Sequence, residues 1–547
     1  MRLTCVRLLA LFALAAPAAA QSVTFTKIVD ETTPIRGFGH SPALDGDFVA
    51  FLGEDAATSE NGIFMAPADG TGSPAWIVAE SDALPNVPGQ PFRFLDNPEI
   101  HAGVVTFTAG YDFSSANNTG IYQGSGGPIG IAYDHADPLV GPNPFEPMVD
   151  DSGMFLRSAG GNSSDFLQWS IPLELGGAGV PSPLVAGPLP GGGDLIELVE
   201  LSDSIAMGGG VVVFSALVGH LGFASHGIYS WDSATSSLGL VANWNSLLPG
   251  TSSPFESFLH VHTDGASSVF VGQVGNIGFG GIQGVYKAQL ANGGSGPLTE
   301  IAVTGQAAPS SSQVFGSFEN VAIDGDLVIF EATLGSPFAP TGAGIYGWKA
   351  GHTFRILDTT QQLENQSLLG MTFDFRGLDG HRLALRVTFV DPTWPNYHVR
   401  FGVFVAELPA ALGTNYCISL PNSTGVAATI SALGSSSVSA NDLVLQAGDV
   451  PSNKPGLFVY GPVQSMLPLG NGFLCIGSGS SGIFRQPVVF SSADGVATFH
   501  LDYTTQSNPN GVITAGSTWN FQYWYRDPID PPAGFNLTDG LSIDFTP

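Results

Sequence analysis

Six segments of the chain set an aromatic residue ahead of a carboxylate or a histidine. They are Phe38-Gly-His40, Phe94…Glu99, Phe145-Glu146, Phe255-Glu256, Phe318-Glu319 and Phe373-Asp374. Acids gathered at one mouth would attract a cation or accept hydrogen bonds from the hydroxyls of a glycan. On this pattern His40, Glu146, Glu319 and Asp374 are the ligand-binding candidates, and Ca2+ is the one cofactor it would admit. The phenylalanines are expected to pack between repeats. His260 and His262 alternate along one apolar stretch, so they would share a strand face, but no third metal ligand accompanies them. Asp45-Gly46-Asp47 and Asp324-Gly325-Asp326 read as turns, because the further oxygen ligands and distal Glu of a calcium loop are missing. The sequence has no HExxH, GxSxG or phosphate loop, and no GxGxxG between a strand and a helix. No catalytic residue and no dedicated metal site are therefore expected.

These candidates sit in a repeat. Its clearest copies are ALDGDFVAF (43–51) and AIDGDLVIF (322–330). The turn glycines are Gly46, Gly103, Gly153, Gly209, Gly265, Gly325 and Gly380, at spacings of 57, 50, 56, 56, 60 and 55. A regular period of this length marks a repeat architecture. Each copy begins with a short apolar run, a Gly-containing turn and a second run, which reads as a β-hairpin. A third strand carries a Gly-aliphatic-aromatic core, as in GIYSW (227–231) and GIYGW (344–348). A fourth strand follows, as in FRILD (354–358). Four short strands per repeat make a β-propeller blade. The seventh copy stops at its third strand, GVFVAEL, while FTKIVDETTP (25–34) resembles a fourth strand with its exit loop. The sequence thus predicts seven blades over 21–408, closed by the N-terminal strand.

The surrounding composition agrees with an exported all-β chain. Only 11% of the 547 residues are charged, and 46 acids against 16 bases give a net charge of −30. Such a field would repel phosphate, so nucleic acid is not an expected partner. Residues 1–20 read as a signal peptide: Arg2 and Arg7, then the apolar run Leu8 to Ala15, then Ala18-Ala19-Ala20 before Gln21. No later stretch is apolar and long enough for a transmembrane helix. Cys417 and Cys475 are then the mature cysteines, and an even pair in an exported chain reads as a disulfide.

Residues 414–547 carry no blade pattern. Strand-like runs such as GLFVYG, QPVVFSS and STWNFQYWYRDP alternate with Gly, Asn, Pro and Ser turns, which predicts a β-sandwich. Trp519, Phe521, Tyr523 and Tyr525 alternate on one strand face, as half of a sandwich core does; a sugar-stacking stripe is the other reading. The segments NYCISLPNSTG, LGNGFLCIG and AGSTWNFQYWYRDP resemble a C-terminal module that recurs in large secreted proteins of planctomycete-like bacteria. The propeller part is similar in outline to repeats in the same kind of protein. The resemblance implies export and a modular surface or extracellular protein, and it carries no enzyme activity. The expected function is a secreted, non-catalytic binding or scaffold protein that presents a propeller loop face to a glycan, a cation or a surface protein. The alternative is an extracellular carbohydrate-active hydrolase or lyase with carboxylates at the channel.

Overall fold

The computed structural model describes residues 23–547 apart from 38, 86, 88, 112–118, 135–143, 152, 160–164, 171–181, 184–196, 221–222, 236, 276, 278–279, 292–293, 310, 312, 350–351, 391–398, 409–411, 434–435, 440, 442, 493–494 and 504–507. The expected signal peptide lies outside the described residues. The chain forms two compact units, Thr24–Leu408 and Pro409–Pro547. Among the described residues there is no α-helix, and no helix long and apolar enough to cross a membrane.

The first unit is built from antiparallel sheets whose strands run in chain order. One holds Phe94–His101, Val104–Gly110, Thr119–Gly124 and Gly130–Asp134; another holds Phe315–Asp324, Leu327–Ser336, Ala339–Lys349 and His352–Asp358. An eight-stranded sheet is two such groups, joined by the parallel pair Leu240 and Gly294. Chain order also breaks where the two ends meet. Thr24–Asp30 pairs with Val399–Glu407, so the first strand completes the last sheet. The leading strands touch in sequence: Ala43–Asp45 meets Phe94–His101, which meets Pro144–Asp150. The series continues through Glu197–Gly208, Ser257–Thr263 and Phe315–Asp324 to Leu378–Asp379, which returns to Ala43–Asp45. A closed ring of small antiparallel sheets is a β-propeller.

The Gly-Ile-Tyr repeat has a steric cause. A Cβ on Gly344 would lie 2.7 Å from Cβ of Asp358, 2.9 Å from the Leu357 carbonyl oxygen and 3.0 Å from the ring of Tyr346. The tyrosine two residues on folds back over its own glycine, and the fourth strand closes the other side. The buried Tyr346 ring then meets Phe315 at 4.9 Å and Phe330 at 5.9 Å. The same trio recurs as Phe255, Phe270 and Tyr286, and as Phe92, Phe107 and Tyr122. The expectation that phenylalanines seal the repeats holds for Phe255, Phe318 and Phe373, each nearly fully buried. The place that Phe255 holds against its tyrosine is taken by Phe92, not Phe94, in the second copy and by Phe315, three residues before Phe318, in the sixth. Phe92 closes the preceding turn by donating its N–H to the Asp82 carbonyl, whereas Phe94 begins the strand.

Neighbouring sheets are also stitched by hydrogen bonds. The Asp that ends a leading strand accepts the N–H of the next sheet's hairpin turn: Asp45 from Ala102 at 2.7 Å, Asp150 from Gly210 at 3.0 Å and Asp324 from Gly380 at 2.6 Å. Asp379 accepts from Gly46 at 2.9 Å, which joins the last sheet to the first. The Asp-Gly turns therefore latch one sheet to the next, and Gly46, Gly325 and Gly380 all have positive φ.

The second unit has a sheet ordered Thr414–Tyr416, Gly540–Asp544, Thr518–Arg526, Pro455–Gly461, Phe484–Phe490 and a three-stranded sheet of Thr429–Leu433, Val444–Gly448 and Ala497–His500. Ile430 and Leu445 of the smaller sheet share one core with Phe458 and Phe521 of the larger. Trp519, Phe521, Tyr523 and Tyr525 are buried in it, so the aromatic stripe is core and not a platform for sugars. Cys417 and Cys475 form a disulfide with their Cα atoms 6.1 Å apart.

Two substitutions test this account. Gly344→Ala forces a methyl into closed space and is expected to destabilise the propeller by about 2 kcal/mol. Asp379→Ala removes the bond from the Gly46 N–H and the 3.4 Å contact with Arg382 at a part-exposed site, and should cost about 1 kcal/mol. Calorimetric melting of both variants checks the order; an Asp379→Ala loss larger than that of Gly344→Ala would reverse the ranking of packing over latching.

Candidate functional site

The leading strands leave a polar centre, and a single turn occupies part of it. After Met371 and Thr372 the chain makes the 3-10 turn Phe375–Gly377. Asp374 caps this turn, accepting the Arg376 N–H at 3.1 Å, and its carboxylate lies 3.6 Å from the Arg376 Nε. The Phe375 ring rests on the His262 ring at 5.0 Å, and the Arg376 guanidinium lies 5.0 Å from the Phe375 ring centre. Gly377 passes so close to the Ala384 carbonyl that a Cβ would sit 2.6 Å from its oxygen. The turn is thus wedged between its own sheet and the Pro42 carbonyl, 3.1 Å from the same point, at the start of the adjacent leading strand.

Beside the wedge is a cavity of about 160 Å³. Its lining comes from most of the ring and includes Asp45, Glu99, Met207, His262, Arg376 and Asp379. Glu99 is buried. Its Oε1 accepts the Val149 N–H at 3.0 Å, and its Oε2 is buried with no hydrogen-bond partner. Burial pushes the Glu99 carboxyl up to about 8; the Arg376 charge and the Val149 N–H oppose the rise, and Asp374 and Asp150 add to it. His262 is buried too, and desolvation drives it down to about 4. Its Nδ1 accepts the Ile323 N–H at 2.9 Å. At neutral pH the centre therefore holds a protonated carboxyl and a neutral imidazole.

The nominated residues divide around this centre. His40 is exposed and pairs with Asp96 at 2.7 Å; that hydrogen bond raises His40. Burial pushes Asp96 up, but His40, the Asn97 N–H and the Arg376 charge together hold the carboxyl below its usual value. Arg376 acts on both His40 and Asp96, so His40 and Asp374 belong to one charged cluster. Glu319 is exposed elsewhere, where its charge acts on His260 and on Glu331. Glu331 is buried; desolvation raises it to about 7, and it accepts from Asn320 and Thr372 at 3.0 Å each. The side chain of Glu146 lies outside the described residues. His260 and His262 do not share a face. A bulge between Leu259 and Val261 gives His260 a positive φ and leaves it exposed while His262 is buried.

Sequence reasoning nominated neither Glu99 nor Arg376. Glu99 stood in the aromatic-acid pattern, five residues after Phe94, and Arg376 follows Asp374 by two. Nothing in the sequence distinguished a buried acid from exposed ones at similar places. Among the described residues no group of three or more His, Cys, Asp or Glu is arranged to hold a metal ion.

No family model and no curated protein matches the chain. Solved structures do. A polysaccharide lyase, Uly1, is similar over 68% of this chain and 90% of its own, at 10% identity and TM-score 0.42. The β-propeller domain of the Trilobed protease from Pyrococcus furiosus covers 65% of this chain and 92% of its own, at 12% identity and TM-score 0.39. The Dos1 propeller covers 68% and 94%, at 11% identity and TM-score 0.33.

The raised Glu99 sets a pH dependence. Between about pH 4.5 and 8 the unfolded chain ionises this group while the folded chain keeps its proton, so its contribution to stability falls as pH rises through that window. His262 acts in a different window: below 6.5 the unfolded histidine takes a proton that the folded one refuses until about 4, so stability is lost as pH falls from 6.5 to 4. Glu99→Gln removes the first effect only. Relative to wild type, the variant is expected to gain at least ~2 kcal/mol between pH 5 and pH 8. Denaturant titrations at the two pH values measure the gain, and an unchanged difference would refute a protonated Glu99.

Proposed function

We propose that the chain is a secreted protein made of a seven-bladed β-propeller and a β-sandwich, and that it works by non-catalytic binding or scaffolding. It presents the propeller loop face to an extracellular glycan, a cation or a surface protein. The observation that carries this reading is the closed ring. The pairing of Thr24–Asp30 with Val399–Glu407 and the Asp379 to Gly46 bond tie the ends together, which gives the loops a fixed base. His40, Glu146, Glu319 and Asp374 are the ligand-binding residues of this reading, with Ca2+ as its one inorganic ligand. The Cys417–Cys475 disulfide suits an oxidising compartment, and export through residues 1–20 would release a chain that begins at Gln21.

A second reading draws on Glu99. A carboxyl that keeps its proton at neutral pH is what an acid catalyst needs, and a hydrolase or lyase acting on carbohydrate would use it at the channel. Two measurements separate the readings. A glycan array and a calcium titration compare the secreted chain with the Glu146→Gln/Glu319→Gln/Asp374→Asn triple variant. Binding lost in the variant supports the first reading; equal behaviour removes these residues from it. A polysaccharide-degradation screen covers the second. Soluble product that disappears in Glu99→Gln makes the protein an enzyme.

A further inference from the structure

The glycan reading needs a place for the sugar, and His40, Glu319 and Asp374 do not line the central cavity. Glu99 and His262 do. Glu99 Oε2 is buried without a partner. Buried polar groups are almost always hydrogen-bonded, so an unsatisfied one calls for an explanation. His262 adds a second directed group. Because its Nδ1 accepts the Ile323 N–H, the proton of the neutral ring is on Nε2, and a donor is left on a residue that lines the cavity.

The charges of the lining are already engaged. Asp45 and Asp379 accept the Ala102 and Gly46 N–H groups, and Arg376 faces Asp374. The cavity therefore does not ask its occupant to carry net charge. A hard cation would want several oxygens from side chains, and no such cluster is present among the described residues. An anion would meet Asp45 and Asp379. Ile100, Val149 and Met207 supply apolar wall between the polar groups, and that mixture matches the C–H faces and hydroxyls of a sugar. About 160 Å³ is the room of about five waters, so it takes one sugar ring and not a chain. Access is from the hairpin-turn end, where Asp45, His101 and Asp379 are partly exposed; the Phe375–Gly377 wedge stands beside the cavity.

We propose that the central cavity binds one neutral sugar unit, the terminal residue of a glycan, through Glu99 Oε2 and the Nε2–H of His262. This rests on the glycan reading above and moves the contact from the loop face to the channel.

The test is saturation-transfer NMR on the full-length secreted chain. The probes are the methyl glycosides of glucose, galactose, mannose and N-acetylglucosamine. At least one should receive transfer. Glu99→Leu and His262→Phe should each weaken it about tenfold or more, the loss of one buried hydrogen bond. Glu99→Gln keeps an acceptor for Val149 and offers a neutral donor, so it should bind within about threefold of wild type, which separates lost binding from lost folding. Transfer that survives in both Glu99→Leu and His262→Phe overturns the proposal. So does a glycan-array signal without transfer to any of the four glycosides, and in that case the glycan reading stands. Silence in both assays overturns both.

Discussion

Each sheet of the propeller has two apolar faces and can cover neither alone. Its only available cover is the next sheet, and that requirement organises the rest of the unit. Phe92, Phe107 and Tyr122 share a cluster with Ile63, Ile77 and Val78 of the preceding sheet. Phe315, Phe330 and Tyr346 do the same with Val269, Val285 and Ile301. The cores are thus interfaces, and an open array would leave one at each end exposed. Pairing Thr24–Asp30 with Val399–Glu407 removes that loss, and it brings Ile28, Val29 and Ile35 into one cluster with Val403 and Val405. Burial at about 25 cal/mol per Å² outweighs any single hydrogen bond here. The latching aspartates set register more than they supply stability.

Ring closure also explains the centre. Side chains from most of the leading strands converge there, and space is short. The Phe375–Gly377 turn takes up part of it, and Gly377 is needed because the Ala384 and Pro42 carbonyls crowd its α-carbon. Filling the remainder with apolar side chains would be the stabilising choice. Glu99 and His262 occupy it instead, at the cost of an unpartnered oxygen and two displaced ionisations. A stability cost kept at the middle of a rigid ring is where function is to be sought.

Much of the propeller was legible in the sequence because its causes are local. The Gly-Ile-Tyr spacing follows from a ring closing over its own glycine, and Asp-Gly follows from a positive φ at the turn. Those requirements recur in most copies, so the text repeats; the third copy sets Asp165–Ser170, DFLQWS, in the third-strand place without the glycine. The centre was not legible, because its residues are brought together by the ring. Glu99 and His262 are more than 160 positions apart, and neither looks different from an exposed residue of its type. The two histidines at 260 and 262 mislead for a related reason. Alternation assigns faces only where the strand is regular, and a bulge at this point resets it.

The acidity of the chain takes a different meaning once the turns are seen. A net charge of −30 invites the search for a cationic partner. Yet many of the carboxylates are already occupied by backbone amides. Asp55 accepts from Ala57 and Thr58, Asp69 from Thr71, Asp232 from Ala234, Asp264 from Ala266 and Ser267, and Asp358 from Thr360. A carboxylate accepts an N–H more strongly than a neutral oxygen does, and it tolerates the tight turns between short strands. A propeller needs such a turn every few residues, so it accumulates Asp without any call for a counter-charge on a ligand. Part of the negative charge is thus a by-product of the turns, whereas Glu99 and His262 in the cavity are groups that the turns do not use.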